Sequence, residues 1–402
     1  MRAVILGFIL IRCFVNGHAS EQAAIATRSP NAALSYLQAF AALPQFDADE
    51  SDFLDGFLQE EALSDTRDWR AGSIEEYQSI IPRAAASLLL LRRGARIQQC
   101  HWDLATEEGH FMPIPYVQSA RRLVKIACLK VIHECTLPQS TTVDDLDACL
   151  ALAAHIETEP FIVTQLLAVS IEHVTLNALI VALPQLDRAH IEAIEKRIAV
   201  MPKRKGAKLV FSADTRHMLQ WFRRTVLSEP SSERRQEKLL SLAKSAWRVM
   251  TPEDEGRLAR VAANRDLLTT AFLQAKKIGI EGETLYDLPW EAGAFEAAAV
   301  RWRGRLEAGG PLASLLIPPR IDTHRRYVDV AAVRLAAVHA MVRVVLSGEK
   351  SLAECKDPVL GQPFEYRSRE GGFELRSAAI GNSATVVVRL GRGITVVTPS
   401  ES

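Results

Sequence analysis

The chain has 402 residues, 48 Lys and Arg against 48 Asp and Glu, and a hydrophobic fraction of 48%. That fraction, beside 24% charged residues, excludes a disordered or fibrous chain. A net charge of zero speaks against a protein that coats nucleic acid, because such binding draws on an excess of cations.

The N-terminus reads as a targeting segment. Met1 and Arg2 precede an apolar run from Ala3 to Ile11, Arg12 interrupts it, and Gly17-His18-Ala19 closes it with small residues two apart. This pattern predicts a secretory signal peptide over residues 1–19, cleaved after Ala19. A misplaced start codon on a cytoplasmic protein is the alternative. Gly7-Phe8-Ile9-Leu10-Ile11 is similar to a prepilin cleavage signature, but Arg12 stands where that family has Glu. The apolar run also falls short of the ~20 residues that cross a bilayer. Leu10-Ile11-Arg12-Cys13 echoes a lipoprotein box, with Arg12 where a small residue belongs.

The body reads as helices. Residues 31–43, NAALSYLQAFAAL, form an amphipathic pattern stopped by Pro44. Their start is similar to the first helix of a tetratricopeptide unit, yet no second copy follows at a 34-residue offset, so a repeat array is rejected. Residues 47–61 are acidic, with Phe53, Leu54, Phe57 and Leu58 at spacings of three and four, which predicts a surface helix with one apolar stripe. Residues 74–97 predict a longer helix with Gly94 as a break point. Met112-Pro113-Ile114-Pro115 is extended, since a residue before proline is pushed out of the helical region.

Residues 116–135 return to helix, with Arg121, Arg122 and Lys125 along one side. Thr141 or Thr142 caps the next helix, with Asp144 and Asp145 favourably placed in its first turn. Residues 161–183 are apolar nearly all round, with Glu172 as the one formal charge and His173 beside it. Gln165, Ser170, Thr175 and Asn177 make this stretch too polar for lipid, so it is predicted to be a central core helix. A helix over 186–201 leads to the basic run Lys203-Arg204-Lys205-Gly206-Ala207-Lys208, read as a solvated connection. Further helices are predicted over 213–227, 232–249, 252–277 and 284–306. Thr251-Pro252-Glu253-Asp254 marks a helix start by its hydroxyl, proline and acids. Gly309-Gly310-Pro311 and Ile317-Pro318-Pro319 read as a linker.

Beyond the linker the composition shifts. Residues 327–346 predict a long Ala/Val helix with Arg334 and Arg343 on its outer side. Residues 373–377, 385–390 and 394–398 are short β-branched runs, the last two joined by Gly391-Arg392-Gly393 as a hairpin. The fold class is therefore mainly α: a multi-helix body of packed antiparallel helices over 20–310, with a small C-terminal α+β module over 320–402, a long helix plus short antiparallel strands.

Asp357-Pro358-Val359-Leu360-Gly361-Gln362-Pro363-Phe364-Glu365-Tyr366 follows that long helix and precedes Phe373-Glu374-Leu375-Arg376-Ser377. This tail resembles that of type II secretion major pseudopilins. It is closer still to the tail of a set of uncharacterised exported bacterial proteins with helical bodies, over about 60 of the 402 residues. Physically, Asp357-Pro358 starts a turn, Gly361 permits positive φ, and Pro363 fixes the approach to a strand at Phe364. Pseudopilins often carry a calcium loop after this point, but Gly381-Asn382-Ser383 lacks the aspartates that hard oxygen coordination needs. The resemblance therefore implies an envelope setting and carries over neither a metal nor a filament role.

Signal removal leaves five cysteines, an odd number: Cys100, Cys128, Cys135, Cys149 and Cys355. Cys128 and Cys135 sit seven apart on one helix, about 10 Å by its rise, beyond disulfide reach. A bridge between neighbouring helices, such as Cys128 to Cys149, stays open, and buried free thiols are the favoured reading.

Candidates for chemistry are sparse. His133-Glu134 begins like a zinc-protease helix, but Leu137 occupies the place of the second His. His155 and Glu159 are four apart, as a helix-surface ion pair would be. Glu172 and His173 are adjacent, so they point about 100° apart and form no dyad with each other; a satisfied core network is the plainer account. The loop with His101, Asp103, Glu107, Glu108 and His110 is the densest group of potential ligands or bases. Arg301-Trp302-Arg303-Gly304-Arg305 is read as helix C-terminal cations. No Gly-x-Ser-x-Gly, phosphate loop or Cys-x-x-Cys occurs.

Three functions follow in order. The first is a non-enzymatic helical scaffold, exported to the periplasm or cell envelope, that binds another envelope protein, with no cofactor, no metal, no nucleic acid and no transmembrane span in the mature chain. The second is an envelope hydrolase, with or without a metal, using His101, Asp103 and His110, with Glu172 and His173 as further candidates. The third is a cytoplasmic regulator that binds nucleic acid.

Overall fold

The computed structural model describes residues 30–58, 72–137, 140–202, 204–245, 251–290, 293–369, 371–378, 380, 385–391 and 393–397. The predicted signal and the segment 381–383 lie outside the described residues.

Helix α1 (Ala32–Ala41) starts at Asn31, whose Oδ1 accepts from the Ala33 amide. It packs on α5 (Ala85–Ala95). Gly94 permits that approach, because a Cβ there would lie 2.6 Å from the Tyr36 ring. Helix α2 (Ala48–Gly56) opens with a reciprocal capping box between Asp47 and Glu50. The single helix expected over 74–97 is instead α3 (Gly72–Tyr77), α4 (Ile80–Arg83) and α5. Pro82 supplies the reason: it has no amide proton to continue the ladder and its ring crowds the preceding turn.

The interior is built around α8 (Ile162–Ala182), which packs against α6 (Val117–Glu134), α7 (Thr142–Ile156) and α16 (Ile321–Ser347). The expected core helix is thus present, buried on nearly every face. Among the described residues, two stretches are long and apolar enough to cross a membrane, Ile162–Gln185 and Pro311–Ser347; the first is 83% buried by the rest of the fold. Lys125, expected on an outer side of α6, is buried, and its Nζ donates to the Asp55 carbonyl. The Thr141 hydroxyl does not cap α7; it donates to Asp145 instead.

Helix α9 (Arg188–Ala199) and α10 (Ala207–Phe222) follow, then α11 (Ser232–Ser245). Thr251 caps α12 (Pro252–Ala263) as the sequence predicts, its hydroxyl accepting from the Asp254 amide. The predicted helix over 252–277 is divided at Asn264, which is extended and caps α13 (Arg265–Leu285) with its side chain. The next predicted helix shortens to α14 (Ala294–Ala308), after Pro289 and a left-handed Gly293. Between the two proline-rich turns lies α15 (Pro311–Leu316), with Leu312, Ala313, Leu315 and Leu316 buried.

Helix α16 carries Arg334 inward; this overturns its expected outer position. Four antiparallel strands then run in sequence order, β1 (Glu365–Arg369), β2 (Gly372–Arg376), β3 (Thr385–Arg389) and β4 (Gly393–Val397). Asp357 shapes the turn before them, its Oδ1 accepting from the amides of Val359 and Leu360, while Gly361 adopts φ +68°. Glu374 on β2 holds Arg369 and Arg389 at 2.9 and 3.2 Å, tying three strands by charge. The sheet docks through β3 on α16 and β4 on α8, and the Gly391 amide donates to the Ile180 carbonyl.

Candidate functional site

The loop after α5 is pinned by Trp102, which is buried, stacks on Tyr116 and Tyr36 at centroid distances of 4.3 and 5.8 Å, and donates from Nε1 to the His155 carbonyl. His101 and Asp103, flanking Trp102, are exposed, and Asp103 adopts a left-handed φ of +47°. The His101 backbone is held by the Asn31 side chain at both its amide and its carbonyl. His110 lies in the 3-10 turn Thr106–Phe111, and its side chain lies outside the described set. His155 does not pair with Glu159; its Nδ1 meets the Tyr36 hydroxyl at 2.9 Å.

Glu172 and His173 go elsewhere, into the buried α8. Glu172 Oε2 accepts from Arg204 Nη2 at 2.6 Å, and Glu157 Oε2 lies 3.4 Å from Arg204 Nη1. Arg204 thus leaves the basic run and enters the interior, against the expectation of a solvated connection. The reason is electrostatic: two buried carboxylates need a nearby cation, and the guanidinium fork reaches both. Burial pushes the Glu172 carboxyl up, opposed by the Arg204 guanidinium.

The ladder continues. Gln165 Nε2 donates to Glu157 Oε1 at 2.9 Å and to the Lys205 carbonyl at 2.8 Å. That fixes Gln165 Oε1 toward His324 Nε2, 2.8 Å away, so this nitrogen carries the proton. His324 Nδ1 then accepts from the Tyr286 hydroxyl at 2.9 Å. Burial pushes His324 down to about 4, which keeps the ring neutral. The chain Tyr286, His324, Gln165, Glu157, Arg204, Glu172 is therefore hydrogen-bonded with one consistent donor direction as far as Glu157. His173 faces away from it, its Nε2 meeting Asn177 Nδ2 at 3.1 Å. Burial pushes His173 down to about 3, with Arg334 acting in the same direction. Among the described residues no group of three metal-ligating side chains gathers.

An open concave site, a cleft of about 460 Å³, lies between α4, α5 and α6. Ile81, Pro82, Ala85, Leu88 and Arg92 line it from α4 and α5, and Lys130, His133 and Glu134 from α6. Beneath it, fully buried Asp145 accepts from Arg92 at 2.5 Å, Lys130 at 2.9 Å and Thr141 at 2.7 Å. Lys130 also meets Glu134 at 2.6 Å, so its three protons all have acceptors. His133 stays exposed at the mouth.

The sequence reading missed Arg204, Gln165, His324, Asp145 and the cleft. One signal was present: Gln165 and Glu172 are seven apart, two turns of α8, and so share a polar stripe on an otherwise apolar helix. A stripe of that kind demands partners from outside its own helix.

The fold and these sites define a mainly helical protein with a small C-terminal antiparallel sheet, a buried polar ladder and an open cleft. No family model matches the chain, and neither a curated protein nor a solved structure matches it.

Proposed function

We propose that the chain is a non-enzymatic helical scaffold, exported to the bacterial envelope, that holds another envelope protein in the cleft between α4, α5 and α6. The cleft is the observation that carries this reading: about 460 Å³, lined by apolar Ile81, Pro82, Ala85 and Leu88 together with charged Arg92, Lys130 and Glu134. Such a mixed lining suits a partner segment with both apolar and hydrogen-bonding side chains. The ionisable side chains support the non-enzymatic part. Glu172, Glu157 and Asp145 are each engaged by cations of the fold itself, which is what a structural network requires.

Export rests on the signal pattern of residues 1–19 and on the resemblance of the tail. A mature chain without a membrane span is supported by the packing of Ile162–Gln185 inside the protein. A protein partner rather than nucleic acid is supported by the neutral net charge.

The test combines location and capture. The full chain is expressed in a bacterial host, fractionated and weighed by intact mass spectrometry. The expected product begins at Ser20 and lies in the envelope fraction. Crosslinking from His133→Cys is expected to retain one envelope protein, and Ala85→Arg, which fills the cleft from an exposed position, is expected to release it. An intact Met1 in the cytosol overturns export; undiminished capture by Ala85→Arg overturns the cleft.

A further inference from the structure

A second groove, of about 400 Å³, lies between the C-terminal end of α1 with its following loop and the first turns of α6. Phe40, Leu43, Pro44 and Phe46 form its apolar wall, each half-buried and so open on one side. Gln118, Ser119 and Arg122 line it from α6. The apolar wall is held from behind. The Phe40 ring stacks on Trp102 and Tyr116 at centroid distances of 6.4 and 6.3 Å. Arg83 donates to the Gln45 carbonyl, and Asp47, directly after Phe46, opens the capping box of α2.

The groove holds an uncompensated cation. Arg122 Nε is buried without an acceptor, and the Arg122 side chain has no hydrogen bond or ion pair among the described residues. No carboxylate lines the groove. The nearby acids of the apolar wall's own segment are already engaged: Asp47 accepts from the Glu50 amide, and Glu50 pairs with Arg83. The cleft between α4, α5 and α6 differs in this respect, since its Arg92 and Lys130 are answered by Asp145 and Glu134. Helix α6 also starts at Tyr116 with no capping side chain, so the positive end of an 18-residue helix adds to Arg122 beside Gln118 and Ser119.

We infer that this groove binds a small amphipathic carboxylate, with its apolar body on Phe40, Leu43, Pro44 and Phe46 and its two oxygens on Arg122. The guanidinium fork matches a carboxylate, and charge-assisted bonds of this kind are the strong ones. One free cation in the lining calls for one negative charge. Lys125, one turn further along α6, is occupied by the Asp55 carbonyl, so a phosphate dianion would find part of its charge unanswered. A bare inorganic ion would leave the apolar wall in water, whereas the groove has the size of a small-molecule site, about 300–1,000 Å³. Gln118 and Ser119 supply neutral donors beside the carboxylate. None of these residues lines the cleft between α4, α5 and α6, so the inference stands apart from the proposed function.

The test is isothermal titration calorimetry of the full chain with 3-phenylpropionate, set against 3-phenylpropan-1-ol and 3-phenylpropylamine as neutral and cationic matches of the same body. The carboxylate is expected to saturate one site, and the alcohol to bind about tenfold more weakly or worse, as loss of a charge-assisted bond implies. The amine is expected to show no saturable binding. Arg122→Gln is expected to bring the carboxylate down to the affinity of the alcohol and to leave the alcohol unchanged. Arg93→Gln, which removes the same charge from an exposed position outside the groove, is expected to change nothing. A diazirine-bearing phenylpropionate is also photolysed on the unsubstituted chain, so that poor folding of Arg122→Gln does not decide the outcome. Peptide mapping is expected to place the label within residues 40–46 or 118–122. Absence of saturable binding by the carboxylate, equal affinity for the alcohol, full affinity in folded Arg122→Gln, or a label confined to residues outside the groove overturns the inference.

Discussion

Nη2 of Arg204 donates to Oε2 of Glu172 across 2.6 Å, carrying a cation from a surface run of basic residues to the flank of the most apolar helix in the chain. The side chains are 13% and 5% exposed, so the pair is buried and its loss is not compensated by water. Removing one partner of a buried pair costs about 3–5 kcal/mol, because the other charge is left alone. Arg204→Met is expected to lower unfolding stability by that amount in urea. Arg204→Met combined with Glu172→Met and Glu157→Gln is expected to recover most of it. A single-variant loss under about 1 kcal/mol would mean that Arg334, which also acts on Glu172, carries the compensation.

His324 gives a pH dependence with a defined sign. Burial holds it near 4 against an ordinary value of 6.5, so the unfolded chain binds more protons between those values. Its contribution is complete above pH 6.5 and is lost as pH falls toward 4. Urea midpoints measured at pH 7.5, 5.5 and 4.5 are expected to fall in that order, and His324→Gln is expected to flatten the fall. An equally steep fall in the variant would assign it to His173, held near 3.

Asp214 acts in the opposite sense. Burial pushes its carboxyl up to about 7, opposed by the Ile162 amide that it accepts at the start of α8. The folded chain therefore binds more protons than the unfolded chain between the ordinary value near 3.8 and 7, and stability drops as pH rises through that window. Asp214→Asn keeps an oxygen for the Ile162 amide and removes the charge. It is expected to raise the thermal midpoint at pH 8 and leave it near wild type at pH 4. A lower midpoint at pH 8 would show that the ionised carboxylate is worth more to the helix start than its burial costs.

Gly94→Ala tests the seat of α1 on α5. Alanine gains about 1 kcal/mol of helix propensity over glycine. The added methyl would meet the Tyr36 ring at 2.6 Å, and overpacking costs about 1–3 kcal/mol. The ring cannot swing freely, since its hydroxyl is engaged by His155. A net loss of stability is expected in urea titration, and a gain would show that α1 shifts without penalty.

Local order was written in the chain wherever a short-range rule decides it. Thr251, Pro252 and Asp254 start α12 as their types require, Gly361 takes the positive φ that its turn needs, and the β3–β4 hairpin falls where two glycines bracket Arg392. Helices were overextended where one residue breaks the ladder: Pro82 divides 74–97, and Asn264 turns the predicted 252–277 helix into two. The candidate site was less legible. His101 and Asp103 looked dense in sequence, but the buried indole between them turns both outward.

Amino-acid order alone determined the helical class, the Thr251 cap and the Asp357–Gly361 turn, because each depends on residues within one or two turns of each other. Only the tertiary structure decided where Arg204, Lys125 and Arg334 go. A long charged side chain is compatible with either side of a helix or loop, and its direction is set by whether a carboxylate or carbonyl from a distant segment waits inside. That segment can lie far along the chain, as Gln165 and His324 do from each other, and periodicity carries no record of it.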